Sequence, residues 1–589
     1  MTKHSTRFFC FFSLPFLLFA QNEFSGKEKN LVFTQVTVID ATGASPQPDM
    51  TVVITGNRIT ALGKTGKVKI PQEAQVIDAA GKFLIPGLWD MHVHWNLKEF
   101  VPLFIANGVT GVRIMWGRPH HHAWRTEIAG GKLVGPRMII ASPLIDGPKP
   151  IWPGSVAVSN ETEARQAVLK AKEDGADFIK VYSLLPRAAY FALVDEAKKQ
   201  GLPVAGHVPV LVRVLEASQA GQKTIEHLEG IFAACSPREE EWLAHNAQSL
   251  LDSSIYRFTA FLRDEARRLA EYDGQKAAHL FARLQQNDTW QCPTLTVLRS
   301  EAFLNDTSFT HDPRLKFMPR SVRDSWSPAN DEEKTTEHYA NARKVYAQSA
   351  ELTSAMQRAG VGILAGTDAL NPYCFPGFSL HDELALLVQA GLTPMAALQA
   401  ATRNPAKCLG MLDSLGTIEK GKIADLVLLE ANPLTDINNT KNLAAVVANG
   451  TFFSKTALQE MLANIEKIAN KKALADTLLK TIAEQDVAAA IQQYHRLKAT
   501  QTDEYDFGER ELNRLGYRLL RAQKLPEAIA IFKLNVEVYP HSANAHDSLG
   551  EAYLAGGDQA LAIASYKKSL ALNPQNANAL EMLQKLGSN

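Results

Sequence analysis

Two histidines one residue apart, His92 and His94, close the run Pro86-Gly-Leu-Trp-Asp-Met-His-Val-His94. On a β-strand, residues i and i+2 face the same side. A His-x-His pair at a strand end therefore aims two imidazoles at one point, which suits a divalent ion. A metal centre needs more than two ligands, and other short apolar runs end in suitable residues. These are Lys180 in Asp177-Phe-Ile-Lys-Val-Tyr182, His207 in Ala205-Gly-His-Val208, His227 in Thr224-Ile-Glu-His-Leu228 and Asp368 in Ala365-Gly-Thr-Asp368. Each has an ordinary structural reading: a satisfied core or loop histidine, a lysine stem with its amine in water, an aspartate that caps a helix or turn. Their shared place at strand ends argues for one site.

The elements that must position them alternate short apolar strands with helical stretches. Strands are expected at Leu84-Ile85, Gly111 to Met115, Arg137 to Ala141, Phe178 to Tyr182, Pro203 to Gly206, Lys223 to Glu226, Thr294 to Val297 and Val361 to Ala365. Helices are expected from Glu161 to Gly175 and from Arg187 to Gln200, each closed by a glycine. Eight βα units in sequence predict an α/β fold of the (β/α)8 TIM-barrel type over 81–410. A doubly wound open sheet is the alternative. In such a barrel the reacting groups come from the C-terminal ends of several strands, here the first, fourth, fifth, sixth and eighth. Helical insertions near 236–291 and 299–358 would wall or cover the site. Both flanks read as β, at 31–80 and 411–455, with Gly56-Asn57 as a hairpin turn. They predict one composite β-sandwich that holds the barrel's chain ends together.

Beyond 455 the pattern is helical. An unbroken helical connector is expected over 456–505. A repeat follows at 506–589: Leu515-Gly516 returns as Leu549-Gly550, Phe532 as Tyr566, and Pro540 as Pro574. The offset of 34 (Pro540 to Pro574) is the tetratricopeptide period, so this region reads as an all-α repeat domain and a docking surface for a peptide or partner.

Of the 589 residues, 62 are Lys or Arg and 62 are Asp or Glu. That balance gives no basic surplus for nucleic acid or an anionic membrane surface. Lys3 and Arg7, the apolar run Phe8 to Ala20 and the Ala20-Gln21 junction read as a signal peptide over 1–20. A periplasmic or secreted protein is expected, with no transmembrane segment in the mature chain. Cys235, Cys292, Cys374 and Cys408 are far apart and form no Cys-x-x-Cys pair, which excludes a zinc ribbon and leaves one long-range disulfide open.

These motifs together resemble the amidohydrolase superfamily, in its imidazolonepropionase-like and prolidase-like branch. The resemblance is carried by Pro86 to His94, by Gly108-Val-Thr-Gly-Val-Arg113, by the strand ends above, and by Gly391 to Leu398, Ala400 to Pro405 and Leu415 to Leu426. It implies that His92, His94 and Asp368 hold one divalent ion, and His207 and His227 a second. Lys180 would be carbamylated and bridge two zinc ions, since imidazole and carboxylate ligands suit zinc. An ammonium aimed at two cations would be repelled, whereas a carbamate is an anionic ligand. A hydroxide shared by the ions would attack a carbonyl, and Asp368 would move its proton to the leaving amine. The implied substrate is a dipeptide or N-acyl amino acid. Cyclic amide or imide hydrolysis, deamination, and an interaction protein with an inactive barrel are the alternatives. Tyr182 and His120 are further substrate-binding candidates, with His120-His121-His122 expected in a loop. His381 and Glu383 are expected to support the site or start a helix. Relatives commonly carry an aspartate where this chain has Ile114, which puts substrate preference in question.

Overall fold

The computed structural model describes residues 30–251, 258–327, 334–574 and 576–587. The expected targeting segment lies outside them. The central region is a run of parallel strands separated by helices. Leu88–Val93 pairs with Val109–Ile114, which pairs with Arg137–Ile140. A bridge between Ala141 and Phe178 leads to Ile179–Val181, followed by Val204–Gly206, Gln222–Glu226 and Trp290–Cys292. The next segment has no long ladder. It bonds on one side through Gln291 and Ile363, and on the other through Val93 and Ala369, next to the first strand. The strands are buried on both faces, as parallel strands covered by helices must be.

Two expected strands are placed differently. Leu84-Ile85 lies in Phe83–Pro86, which pairs with Leu426–Leu429 in the flanking sheet; the strand that carries His92 is the following one, Leu88–Val93. Thr294 to Val297 is not a strand, because Leu295–Phe303 is helical and the ladder strand is Trp290–Cys292. The reason is tertiary. The carboxylate of Glu383 accepts from Leu295 N at 3.0 Å and from Thr296 N at 2.7 Å, satisfying donors that a helix start leaves open. The helices expected at Glu161 and Arg187 run Glu161–Glu173 and Arg187–Gln200.

The two flanks meet in one hydrogen-bonded sheet of eight strands, and it folds over on itself: Phe33 and Phe452, on strands four steps apart in its order, have ring centroids 6.2 Å apart. Phe83–Pro86 lies between Asn30–Val38 and Leu426–Leu429, so residues some 340 positions apart in the chain are neighbours. The helical stretches near 236–291 and 299–358 are present in the described parts, the longest being Thr336–Arg358. The connector is three helices, Lys455–Ala469, Leu474–Glu484 and Val487–Thr500. Its breaks follow from local capping: Asn470 ends the first, and the Asp486 side chain accepts from Ala489 N to start the third. Two helix pairs and a further helix, Ala577–Lys585, follow. Gly516 sits against the Phe532 ring and Gly550 against the Tyr566 ring, the same contact 34 residues on (516 to 550). These helices have their own core, and Arg320 to Asp476 at 2.9 Å ties them to the central region. No helix among the described residues is long and apolar enough to cross a membrane. The four cysteines beyond Cys10 are buried and free.

Two glycines, Gly111 on a strand and Gly362 beside the Ile363 bridge, show how tightly this region packs. A Cβ on Gly111 would come within 2.2 Å of the Trp89 ring, and one on Gly362 within 2.2 Å of the Trp290 ring. Gly111→Ala is therefore expected to cost about 1–3 kcal/mol through overpacking, read as a lower denaturant midpoint with an unchanged m-value.

Candidate metal centre

His92 lies in the last turn of the pleat of Leu88–Val93, and His94 directly follows it. Their Nε2 atoms are 3.2 Å apart. Asp368 Oδ1 lies 3.3 Å from His92 Nε2 and 3.1 Å from His94 Nε2. His227, just past Gln222–Glu226, has its Nε2 3.9 Å from Asp368 Oδ2. Its ring centroid is 4.7 Å from that of His92 and 5.0 Å from that of His207. Lys180 is wholly buried in Ile179–Val181, and its Nζ has no hydrogen-bond partner among the described residues. The six residues thus gather at one point.

Backbone strain marks the same place. His227 has φ 59° and Asp368 φ 58°, a region that non-glycine residues seldom adopt. Each such residue costs about 1–3 kcal/mol and persists only where its surroundings over-determine it. Here His227 N donates to Cys292 O at 2.9 Å, and Asp368 N donates to His92 O at 2.8 Å. Asp90 adds a clamp. Its carboxylate accepts from His92 N at 3.2 Å, Thr367 N at 3.0 Å and Thr367 Oγ1 at 2.6 Å, fixing the Asp368 loop to the strand of His92. Burial pushes the Asp90 carboxyl up to about 7, against those hydrogen bonds.

A layer of polar partners orients the rings. The Thr294 hydroxyl donates to Pro293 O at 2.8 Å, so it accepts from His227 Nδ1 at 2.7 Å. That leaves the His227 Nε2 lone pair toward Asp368. His92 Nδ1 donates to Glu226 Oε2 at 2.8 Å, with the same consequence. His207 Nδ1 pairs with Ser183 Oγ at 2.7 Å. Glu226 is itself held by Arg113 Nη2 at 2.9 Å and by the Thr224 hydroxyl. Asp90, Arg113, Glu226, Thr294 and Ser183 are absent from the expected site. A signal for two of them existed: Glu226 immediately precedes His227, and Arg113 ends one of the motifs that carry the family resemblance.

The electrostatics suit a cation. Burial holds His92 and His207 well below the usual imidazole range and lowers His227, so all three rings are neutral donors. Burial opposes ionisation of Asp368, yet His92 and His94 hold its carboxyl far below the usual carboxylate range. Burial brings the Lys180 amine down to about 8, despite Glu226 and Asp368 nearby. Neutral imidazoles, an ionised carboxylate and an orphaned buried amine form a donor set that fits divalent ions. Cys292 lies beside His92 and Glu226, but burial pushes its thiol well above the usual range, away from the thiolate a metal needs.

The remaining candidates separate. Tyr182 stacks on His207 with centroids 4.1 Å apart, and its hydroxyl accepts from Trp152 Nε1 at 2.8 Å. His120 is not in a loop; it lies in the helix Pro119–Ala129. Proline at the helix start and the His121 side chain, which accepts from Arg118 N, make a helix of a stretch that was expected in a loop. His120 packs on His121 and Trp124, and burial, Arg118 and Arg510 lower its pKa to about 4. The C-terminal helices therefore approach this face of the central region. His381 bonds Thr440 and Asn107, away from the centre, while Glu383 caps the helix at Leu295. Ile114 is fully buried and paired with Val93.

Parallel strands that bring imidazoles, a carboxylate and a buried amine to one point define a class: α/β enzymes with a candidate divalent-metal centre. The chain belongs, within that class, to the amidohydrolase family, whose model matches residues 83–453; the family acts on carbon–nitrogen bonds. Over 89 residues it is 40% identical to imidazolonepropionase of Deinococcus deserti, covering 15% of this chain and 22% of that protein. Over 120 residues it is 33% identical to ochratoxinase of Aspergillus niger, covering 20% of this chain and 24% of that protein. The chain thus spans less than a quarter of the length of these curated relatives. Among solved structures, bottromycin amidohydrolase is similar with a TM-score of 0.60 and 24% identity, over 75% of this chain and 91% of that one. A Xaa-Pro dipeptidase with bound methionine is similar with a TM-score of 0.52 and 23% identity, over 72% of this chain and 100% of that one. These two likenesses describe the fold.

Proposed function

We propose that the protein is a metal-dependent hydrolase that cleaves an amide-type C–N bond in a small substrate, a dipeptide or an N-acyl amino acid. One observation carries the reading: the wholly buried Lys180 amine has no hydrogen-bond partner among the described residues, although His92, His207, His227 and Asp368 are near enough for its charge to act on them. A buried amine left so costs stability unless something completes it. Carbon dioxide can do so. The neutral amine attacks its carbon, an N–C bond forms as one C=O π bond opens onto oxygen, and one amine proton leaves to solvent, giving a carbamate anion. His92, His94 and Asp368 would hold one divalent ion and His207 and His227 a second, with the Lys180 carbamate shared. Two zinc ions suit these donors, and when bound they would polarise the scissile carbonyl and acidify water.

The chain's own groups do the rest. Asp368, held ionised by His92 and His94, receives the proton of the attacking water. It passes that proton to the nitrogen of the leaving amine. Thr294 and Glu226 keep the His227 and His92 rings with Nδ1 protonated and Nε2 free to hold the ions, and a ring so engaged would not compete for it. Tyr182, stacked on His207, walls the substrate side. The strand path is read as a (β/α)8 barrel, the helix pairs from Glu509 as tetratricopeptide repeats that dock a peptide or partner, and residues 1–20 as an export signal.

A library of dipeptides and N-acyl amino acids, assayed on zinc-loaded protein with ninhydrin, tests the reading. Amine release that a chelator abolishes and zinc restores is the expected result. Silence across the library, with turnover of cyclic amides or release of ammonia, would replace it.

A further inference from the structure

A cavity of about 70 Å³ lies against the back of the candidate centre, between the segments that follow His207 and His227 and the helix Glu239–Leu251. One water-sized group occupies about 10–15 Å³ on this measure, so the space takes roughly five such groups. Val208, Val212, Val214 and Leu243 form an apolar wall, which suits methylenes. Glu229 and Glu265 line it too.

The charged groups around the cavity differ in one respect. Arg268 bonds Glu265 and, at 3.0 Å, Asn246. Glu239 is met by Lys276 at 3.2 Å and Asp264 by His245 at 2.9 Å. Arg213 is taken by Glu216 and Glu240. Glu229 has no such answer. Its side chain is only 9% exposed, and its carboxylate makes no hydrogen bond among the described residues. The nearest basic nitrogen, His207 Nδ1, stands 3.9 Å away and is already engaged by Ser183. A buried carboxylate without a partner costs free energy that a cation or strong donor would recover.

We propose that this cavity receives a substrate side chain made of an aliphatic stem ending in a cation, as in a lysyl or arginyl residue, with Glu229 as its counter-charge. The stem would lie along the valines. The ammonium or guanidinium would meet Glu229, two residues past His227. This assigns a substrate class and rests on the amide-hydrolase reading.

Matched dipeptides separate the two ideas: Ala-Lys against Ala-norleucine, and Lys-Ala against norleucine-Ala, on zinc-loaded protein. In one of the two positions lysine is expected to exceed norleucine at least about tenfold in kcat/KM, since a buried polar group rejects a guest that leaves it unpaired. Glu229→Gln should bring that ratio toward one. Val210→Phe, which narrows the same cavity, should lower the ratio by a separate route should Glu229→Gln fail to fold. Calorimetry with n-pentylammonium and n-pentanol reads the cavity without turnover, and the cation should bind more tightly in wild type only. Dipeptide cleavage without a lysine preference, or an unchanged ratio in Glu229→Gln, would overturn the proposal and leave the hydrolase standing. No cleavage, with Glu229-dependent binding of n-pentylammonium, would overturn the hydrolase reading and leave the cation site standing.

Discussion

Lys180→Met is expected to abolish turnover and, at the same time, to stabilise the metal-free protein. The two signs are opposite because the amine serves chemistry and not packing. Its Nζ is wholly buried without a hydrogen bond. Methionine keeps the stem's length and removes the polar group, which is worth about 1–3 kcal/mol by the cost of an unsatisfied buried donor. The pH dependence adds a check. Burial lowers the Lys180 pKa to about 8, below the roughly 10.4 of an unfolded lysine. Between those values the unfolded chain binds more protons than the folded one, so stability rises as pH rises through that window. The metal-free wild type should gain roughly 3 kcal/mol there, and Lys180→Met should not. Urea titrations of chelator-treated protein at pH 7.5 and 10 measure both effects. Turnover should fall at least about a thousandfold, and metal analysis should show fewer bound ions. At a fixed concentration of dissolved carbon dioxide, reconstitution of wild type should quicken up to about pH 8, above which most of the amine is neutral, and then level off. A short carboxylic acid should restore part of the activity of Lys180→Ala, where there is room for it. Full activity in Lys180→Met would remove the carbamate from the reading.

How far the site was legible follows from the range of its interactions. His92, His94, Lys180, His207, His227 and Asp368 each end a short apolar run, and a strand's period of two fixes where such residues point. The structure places these six at one point. Arg113 and Glu226 left a weaker trace, because a buried ion pair joins residues 113 apart with no local pattern. The misplaced strand has a similar cause. Thr294 to Val297 is rich in β-branched residues, and nothing near it in the chain announces a helix; the cap is Glu383, 88 residues on from Leu295. Phe83–Pro86 reads as the opening strand of the central region by order alone. Its partner Leu426–Leu429 assigns it to the other sheet, and that pairing is visible only in three dimensions. The connector shows the reverse failing. Its sequence carries no proline or glycine, yet Asn470 and Asp486 break it by capping, which a search for breakers overlooks.

Arg113→Met should be the most destabilising single change at the site. Arg113 is 2% exposed and gives its whole guanidinium to the site: Nε to Met91 O at 2.7 Å, Nη1 to Thr224 Oγ1 at 3.0 Å and Nη2 to Glu226 at 2.9 Å. Its removal leaves the Glu226 carboxylate charged and dry, and breaking a buried pair in this way costs about 3–5 kcal/mol. Burial alone would raise the Glu226 pKa, and Arg113 and Lys180 hold it below the usual range, so the lost partner matters for charge as well as geometry. The consequence reaches the centre through one bond. Glu226 accepts from His92 Nδ1, and a protonated Glu226 could instead donate there, turning the His92 tautomer and withdrawing its Nε2 lone pair. Partners of this kind are worth about 10–100-fold in metal affinity. The double variant Arg113→Met/Glu226→Gln distinguishes charge from shape. It removes both ions, so stability should recover by about 2 kcal/mol or more over Arg113→Met, because the uncompensated charge is gone. Zinc affinity by chelator competition should stay low in both, since the glutamine cannot stabilise the donating Nδ1 as a carboxylate does. Recovery of stability without recovery of affinity would place Arg113 and Glu226 as the pair that positions His92. Equal losses in both variants would make Arg113 a packing residue whose charge is incidental.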